Sequence, residues 1–495
     1  YTLTEVTNEI FDGKIKNIKQ LQIYQQPNSE RSIIDTIESL AKEDSQHPPL
    51  YYIIARFWEQ VFGSELAVKR SLPALISLLV FPCLYYLAYS LFRSQITAWI
   101  AVGIVAISPF QTLYAQEVRE YSLWTVTILL SSWLLLRSLR LNSTFSWLIY
   151  AASLTILLYT YLFSIFILIG QAIYVFGLEK WRLTQKVIYF IIASGLSILT
   201  FFPWLSIVIH NLAKVDETTS LLQAKIPLTS LVKMWMINLS RAFIDLDSQG
   251  RIIPVENCSS LIIIIPIIII VGYAVYFLCR HADRTAWLFI LTLMGVTGLA
   301  LILPDLILGG IRSSATRYLV PCYLGIQLAI AYWLSCMVDD TPCSQTTTRL
   351  YNYLWRWVAI AIIFGGVLSC AISSQADSWW NKYGSYYNPQ VARIVNQAKQ
   401  PLAIANAYLP RIFSLSYLLT PQAKIQFIPE ANLSQIPSGY SHVFLYRPFP
   451  ELQSRLKKQL NHYKIETVYQ SPPVYQYLQP IAQQSKIWIT KLEKP

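Results

Sequence analysis

Charge is what this sequence has least of. Of its 495 residues only 13% are Asp, Glu, Lys or Arg, while 54% are hydrophobic and 14% aromatic, a balance too apolar for a soluble protein of this length. Cysteine is sparse as well. Cys83, Cys258, Cys279, Cys322, Cys336 and Cys370 lie in or beside apolar runs, Cys343 lies between two of them, and none follows Cys370, which argues against an exported disulfide scaffold. The histidines His47, His210, His281, His442 and His462 never fall at H-x-x-H or H-E-x-x-H spacing, so a dedicated zinc site is disfavoured. There is no G-x-S-x-G, no Walker loop and no G-x-G-x-x-G, against a serine hydrolase, an ATP motor and a nucleotide-sugar Rossmann enzyme. No period of about 20–50 residues suggests a solenoid.

What is present is a succession of uncharged windows, each near the ~20 residues that a helix rising ~1.5 Å per residue needs to cross a bilayer. They cover residues 71–92, 94–113, 121–136, 187–209, 257–279, 285–304, 318–338 and 357–376. The uncharged run 141–178 is about twice that length and reads as two helices with a tight turn near Tyr159 to Tyr161. The expectation is an all-α polytopic bundle of about ten transmembrane helices.

The basic residues give an independent check, because short cytoplasmic connectors collect Lys and Arg. With the N-terminal segment outside, the inside connectors carry Arg93, then Arg137 and Arg140, then Lys180, Arg182 and Lys186, then Arg280 and Arg284, then Arg349 and Arg356. Much of the formal charge of +12 is thus topological signal and attraction to anionic lipid, and no basic-aromatic module points to nucleic acid. Arg119, Arg312 and Arg317 break the pattern on the outside, which marks them as candidates for work.

Three regions are expected: 1–69 as a first outside loop with interfacial helices, 70–376 as the bundle with an outside loop at 210–256, and 377–495 as a small outside α/β domain. In the first, Pro48 and Pro49 introduce "LYYIIARFWEQVF", whose Arg56 and Glu59 rule out a simple span and suit an amphipathic helix at the interface. In the loop, Leu228, Val232, Trp235, Leu239 and Phe243 share one helical face, which suggests a helix resting on the bilayer. In the last region, "LAIAN", "IQFIP" and "HVFLY" read as strands between helical stretches at 389–400 and 451–462.

Between two lipid-soluble runs stands "AQEVREYS", residues 115–122. Carboxylates and guanidiniums are costly near hydrocarbon unless paired or hydrated, so Glu117, Arg119 and Glu120 at the mouth of a bundle are a site hypothesis by default; the bland alternative is a turn whose charges only stop the helix. Around it, "SPFQTLYAQEVREYSLW" resembles the segment between the third and fourth membrane helices of the protein O-mannosyltransferase-like and aminoarabinose-transferase-like enzymes. "HPPLYYIIARFWEQVFGSELAVKRSLPALISLL" resembles the end of their first outside loop. These are GT-C-fold glycosyltransferases that use polyprenyl-phosphate sugars. The likeness runs from His47 to Arg140, is fainter in "RSSATRYLVP" at 312–321 and is absent from the terminal domain.

The resemblance implies transfer of a sugar from a polyprenyl-phosphate-linked donor to a lipid, glycan or protein acceptor, at the outer face of a bacterial cytoplasmic membrane. Such a transfer needs a carboxylate to take the acceptor's proton and positive charge to meet the departing phosphate. Glu117 is the carboxylate this sequence offers as the catalytic residue; it stands where relatives carry the acidic residue of their second outside turn, which implies acceptor or metal positioning. Arg317, followed by Tyr318, matches an Arg-Tyr opening a late helix and implies donor-phosphate contact, which a guanidinium fork suits. His47 stands where relatives place a basic residue near the phosphate, with a surface helix-start as its plain alternative. Arg119 and Arg312 join the phosphate-binding cations, and Glu120, Tyr114 and Tyr318 border the cavity, although Tyr114 and Tyr121 read first as interfacial anchors. A divalent ion held by carboxylates and phosphate is the one metal reading left open.

One departure stands out. Relatives carry an Asp-Glu pair early in the first outside loop, whose Asp is the expected catalytic base, and nothing here matches it. "YTLTEVTNEIFDGKIK" resembles the stretch that follows the pair, so the expectation is that the first helix and the base lie upstream of Tyr1. The competing readings are a transporter or lipid flippase, a catalytically inactive homologue or fragment, and a membrane scaffold. A transporter would bury ionisable groups in mid-span or interrupt its helices in repeated halves, whereas here the polar groups cluster in outside loops.

Overall fold

The computed structural model describes residues 3–28, 30–246, 258–338, 349–405, 409–428, 437–447, 464–470 and 488–493. The chain divides into two compact units, a helical bundle formed by 32–246 and 255–374, and a smaller α/β unit formed by 1–31, 247–254 and 375–495. The expected 1–69 loop is therefore split between them.

In the smaller unit α1 (Leu3–Ile10), β1 (Ile15–Asn17) and α2 (Ile18–Ile23) open the chain. In the bundle follow α3 (Ile33–Glu43), α4 (Leu50–Phe62), α5 (Leu66–Leu78), α6 (Val80–Phe92), α7 (Gln95–Ala106), α8 (Pro109–Ala115), α9 (Tyr121–Leu141), α10 (Thr144–Thr160), α11 (Ser164–Leu178) and α12 (Gln185–His210). Then come α13 (Leu212–Thr218), α14 (Leu228–Arg241), α15 (Cys258–His281), α16 (Arg284–Leu308), α17 (Val320–Val338) and α18 (Arg349–Ser374).

Among the described residues seven helical segments are long and apolar enough to cross a membrane, or eight if the bent pair α7 and α8 is one span. The uncharged run 94–113 is not a straight helix: it bends by 63° at Ile107 and Ser108, where Pro109 starts α8 and cannot donate to the preceding turn. The Ser108 hydroxyl, no longer needed inside a helix, donates to the Ala242 carbonyl at 2.7 Å. The run 141–178 breaks at Tyr161 as expected, but α10 and α11, with 17 and 15 residues, reach only about 25 and 22 Å at helical rise, short of a ~30 Å hydrocarbon core.

Connectors rich in Lys and Arg gather at one end, where the Asn142 amide donates to Gln185, Arg284 to the Gly177 carbonyl and the Tyr332 hydroxyl to the His281 carbonyl. At the other end lie the start of α9, the turn between α10 and α11, the end of α16 and the start of α17. With few polar groups to hold them, the helices approach through small residues. A Cβ on Gly170 would come within 2.9 Å of the Thr292 carbonyl oxygen, and one on Gly366 within 2.7 Å of the Ile107 carbonyl oxygen.

The interfacial expectations divide. On α4 the side facing away from the bundle exposes Phe57, Val61 and Phe62, a face suited to lipid. On α14 the buried face is Leu231, Met234, Asn238 and Arg241, while Leu228 and Val232 are exposed. The face expected to lie on the bilayer is thus only half of what the helix uses: Trp235 and Asn238 tie it to the segment before α17, donating to Ser313 Oγ and the Ser314 carbonyl at 2.8 Å each.

In the smaller unit α19 (Asn388–Asn396), β2 (Pro401–Ala405), α20 (Leu409–Ser416), β3 (Lys424–Phe427), β4 (His442–Tyr446), β5 (Lys464–Gln470) and β6 (Trp488–Glu493) complete the chain. The sheet has the order β1-β3-β2-β4-β6-β5, parallel where β2 meets β3 and β4 and antiparallel elsewhere. The three expected strands are β2, β3 and β4; the helix expected at 451–462 lies outside the described residues. Burial of all five β2 residues fits a central strand covered on both faces.

Candidate functional site

The segment between α3 and α4 carries His47, and it is held in place from α12: the Trp204 indole donates to the Ser45 carbonyl at 3.1 Å, and the Asn211 amide to the Ala41 carbonyl at 3.2 Å. Pro49 is the cap residue that precedes α4. Its missing N–H costs nothing there, since the first helical donors have no intrahelical partner.

So fixed, His47 Nδ1 lies 2.8 Å from Glu120 Oε1, and the Tyr52 hydroxyl donates to Glu120 Oε2 at 3.2 Å. Arg119, an exposed residue, donates from Nη1 to the Tyr52 oxygen at 2.9 Å. Asp44 Oδ2 stands 3.8 Å from the other His47 nitrogen. The Glu120 side chain has no exposed surface. Burial works to raise its carboxyl pKa, but the hydrogen bond and charge of His47 and the charge of Arg119 prevail and hold it below the ordinary carboxylate value. Glu120 is therefore a fixed buried carboxylate that orients an imidazole, not an open cavity wall.

Tyr161, in the turn after α10, joins this cluster to the start of α17. Its ring centroid is 6.3 Å from that of His47, 6.0 Å from Tyr121, 4.6 Å from Trp124 and 6.4 Å from Tyr318. Phe163 fills the same corner, 4.7 Å from Tyr318. The Arg317 guanidinium carbon lies 4.8 Å over the Tyr318 ring, and Nη2 donates to its hydroxyl oxygen at 3.3 Å. The charges of Arg317, Glu120 and Arg119 all bear on the Tyr121 hydroxyl. Tyr114 and Tyr121 are buried, with rings 5.2 Å apart, and the Tyr114 hydroxyl bonds Thr316 Oγ1 at 2.8 Å. They build the wall of the site, contrary to the expectation of interfacial anchors.

Arg312 has a different place. Its Nη1 donates to Asp305 Oδ1 at 3.2 Å and to the Gly309 carbonyl at 3.0 Å, and Asp305 Oδ2 accepts from Ser313 N and Oγ at 2.7 and 2.6 Å. Its charge is thus matched by a buried carboxylate. Gly310 makes room for the arrangement at φ +140°, where an added Cβ would stand 2.6 Å from Asp305 Oδ1 and 2.9 Å from the Leu222 carbonyl. Gly310→Ala is expected to destabilise the protein by about 2–3 kcal/mol, read as a lowered thermal midpoint of the purified membrane protein; a midpoint within a degree of wild type would refute the tight fit.

Of the residues marked in the sequence, His47 and Glu120 meet directly, Arg119 joins them through Tyr52, and Tyr114, Arg317 and Tyr318 join them through Tyr121 and Tyr161. Glu117 lies close enough for its charge, with those of Glu120 and Arg119, to act on the Tyr51 hydroxyl. Sequence reasoning missed Tyr51, Tyr52, Tyr161 and Asp305. The doubled tyrosine after Pro48 and Pro49 was the only visible hint. Among the described residues no three His, Cys, Asp or Glu side chains gather as a metal site would require.

Residues 46–207 match the family of dolichyl-phosphate-mannose-protein mannosyltransferases. The chain is similar to GT-C membrane glycosyltransferases. The matched stretch contains His47, Glu117, Arg119, Glu120 and Tyr161, while Arg317 and Tyr318 lie outside it. No curated protein matches the sequence. Among solved structures, ArnT from Cupriavidus metallidurans bound to undecaprenyl phosphate is 14% identical, over 90% of this chain and 88% of that one, with a TM-score of 0.47. The oligosaccharyltransferase AglB from Archaeoglobus fulgidus, in complex with an inhibitory peptide and a dolichol-phosphate, is 10% identical over 76% of this chain and 56% of that one, with a TM-score of 0.43. Both likenesses are remote.

Proposed function

We propose that this protein is an integral-membrane glycosyltransferase that moves a sugar from a polyprenyl-phosphate-linked donor to a lipid, glycan or protein acceptor at the non-cytoplasmic face of a bacterial cytoplasmic membrane. The observation that carries the reading is the meeting, through Tyr161, of a carboxylate-imidazole cluster with an arginine on a tyrosine ring, at the bundle end away from the basic connectors. The reaction is a single displacement with inversion. An acceptor oxygen bonds to the anomeric carbon, the bond from that carbon to the phosphate oxygen breaks, the acceptor's proton passes to a carboxylate, for which Glu117 is this chain's candidate, and polyprenyl phosphate leaves.

Arg317 is the cation placed to meet the charge on that leaving group, with its fork held by Tyr318. Arg312 has a structural task instead, since Asp305 already matches it. Arg119 and His47 add positive or donor character on the other side of Tyr161. Glu117 positions the acceptor.

The test is transfer by the full chain in lipid, using radiolabelled polyprenyl-phosphate hexose. Product is expected with a suitable acceptor, and Glu117→Ala is expected to lower the rate by roughly 10²-fold. Solute flux that ignores the donor lipid, without any transfer, would replace this reading with a transporter.

A further inference from the structure

Tyr51 is the second residue of α4, with 1% of its surface exposed. Its hydroxyl has no hydrogen-bond partner among the described residues, although the adjacent Tyr52 has two. A buried hydroxyl left unpaired is expensive, so a bound group able to accept from it would gain a hydrogen bond at little cost. The groups whose charges bear on this hydroxyl are Glu120, Arg119, Glu59 and Glu117. Glu120 is engaged by His47, and Glu59 stands 3.4 Å from Lys69.

With Glu120 met by His47, Glu59 by Lys69 and Glu117 set against Arg119, no excess of positive charge is left here to hold a phosphate. These groups suit a neutral polyhydroxy ring, whose hydroxyls can accept from a tyrosine O–H and donate to a carboxylate. The cation suited to phosphate, Arg317, lies beyond Tyr161.

We infer that the buried Tyr51 hydroxyl, whose ring lies 5.7 Å from that of Tyr52, donates a hydrogen bond to a hydroxyl of the donor's sugar ring. This rests on the reading that the bundle binds a polyprenyl-phosphate sugar. It makes Tyr51 a sugar-binding residue and divides recognition of the donor between two subsites.

The test is Tyr51→Phe in the full chain reconstituted in nanodiscs, titrated with two probes, polyprenyl phosphate and polyprenyl-phosphate hexose, and melted without either. Losing one hydrogen bond to the ligand should weaken binding of the hexose lipid about tenfold and leave the sugar-free lipid unchanged. The melting midpoint without lipid should hold or rise, because an unpaired buried hydroxyl has been removed. Equal binding of both lipids by variant and wild type overturns the inference, as does equal weakening of both. If wild type binds the sugar-free lipid but not the hexose lipid, or neither, the proposed function itself falls and the inference with it.

Discussion

Arg317→Ala lowers transfer from a polyprenyl-phosphate sugar by roughly 10²–10³-fold, with the loss mainly in kcat. That size follows from removing one preorganised charge from the place where negative charge develops, worth about 2.7–4 kcal/mol of barrier. The guanidinium carbon sits 4.8 Å over the Tyr318 ring, a geometry that restricts the fork to a narrow range of directions. Arg317→Lys keeps the charge but gives up the planar two-point grip, so it should recover only part of the rate. Steady-state kinetics of the three proteins on one donor lipid checks this. Equal kcat in wild type and Arg317→Ala would remove Arg317 from the chemistry.

Glu120→Ala lowers stability by about 3 kcal/mol, because truncating one member of a buried charged cluster strands the others. His47 would lose its 2.8 Å partner and Tyr52 its acceptor. Glu120→Gln should cost less, since an amide can still accept from one of them. A pH dependence accompanies this. The folded-state carboxyl is held below the ordinary value of 4.5, so near that pH the unfolded chain binds more protons than the folded one. The contribution of Glu120 is therefore complete above about pH 4.5 and is lost as pH falls toward the lower folded value. Thermal melts of wild type and Glu120→Ala should converge on acidification through that window. A constant gap between them down to pH 3 would show that Glu120 does not stabilise as an anion.

Hydropathy made most of the bundle legible, because a span must be uncharged for its whole length and its connectors must carry the charge. It located the turn at Tyr159 to Tyr161 for the same reason, since thirty-odd uncharged residues have to fold back somewhere. It did not show the bend at Ile107 and Ser108. A broken span is as apolar as a straight one, and the signal there was a single proline. Nor did it show β1 leaving the first outside loop for the terminal sheet. Three residues, Ile15 to Asn17, carry no usable alternation, and their partner strand is some 400 positions away.

The site was legible residue by residue but not pair by pair. Charge near lipid marked Glu117, Arg119, Glu120 and Arg317, since each such group must repay its burial somehow. Which partner repays it is a matter of tertiary geometry. His47 and Glu120 are 73 positions apart, and Arg312, alike to Arg317 in the sequence, turns out to be matched by Asp305. Tyr161 was visible only as a turn residue because nothing in a sequence tells an aromatic ring at a turn from an aromatic ring between two binding subsites.

The most direct measurement is a structure of the reconstituted full chain with polyprenyl phosphate bound. The phosphate oxygens are expected within hydrogen-bond reach, about 2.7–3.2 Å, of an Arg317 guanidinium nitrogen, with the lipid chain running down the bundle. A phosphate seated instead among Arg137, Arg140 and Lys186, at the opposite end, would contradict the account.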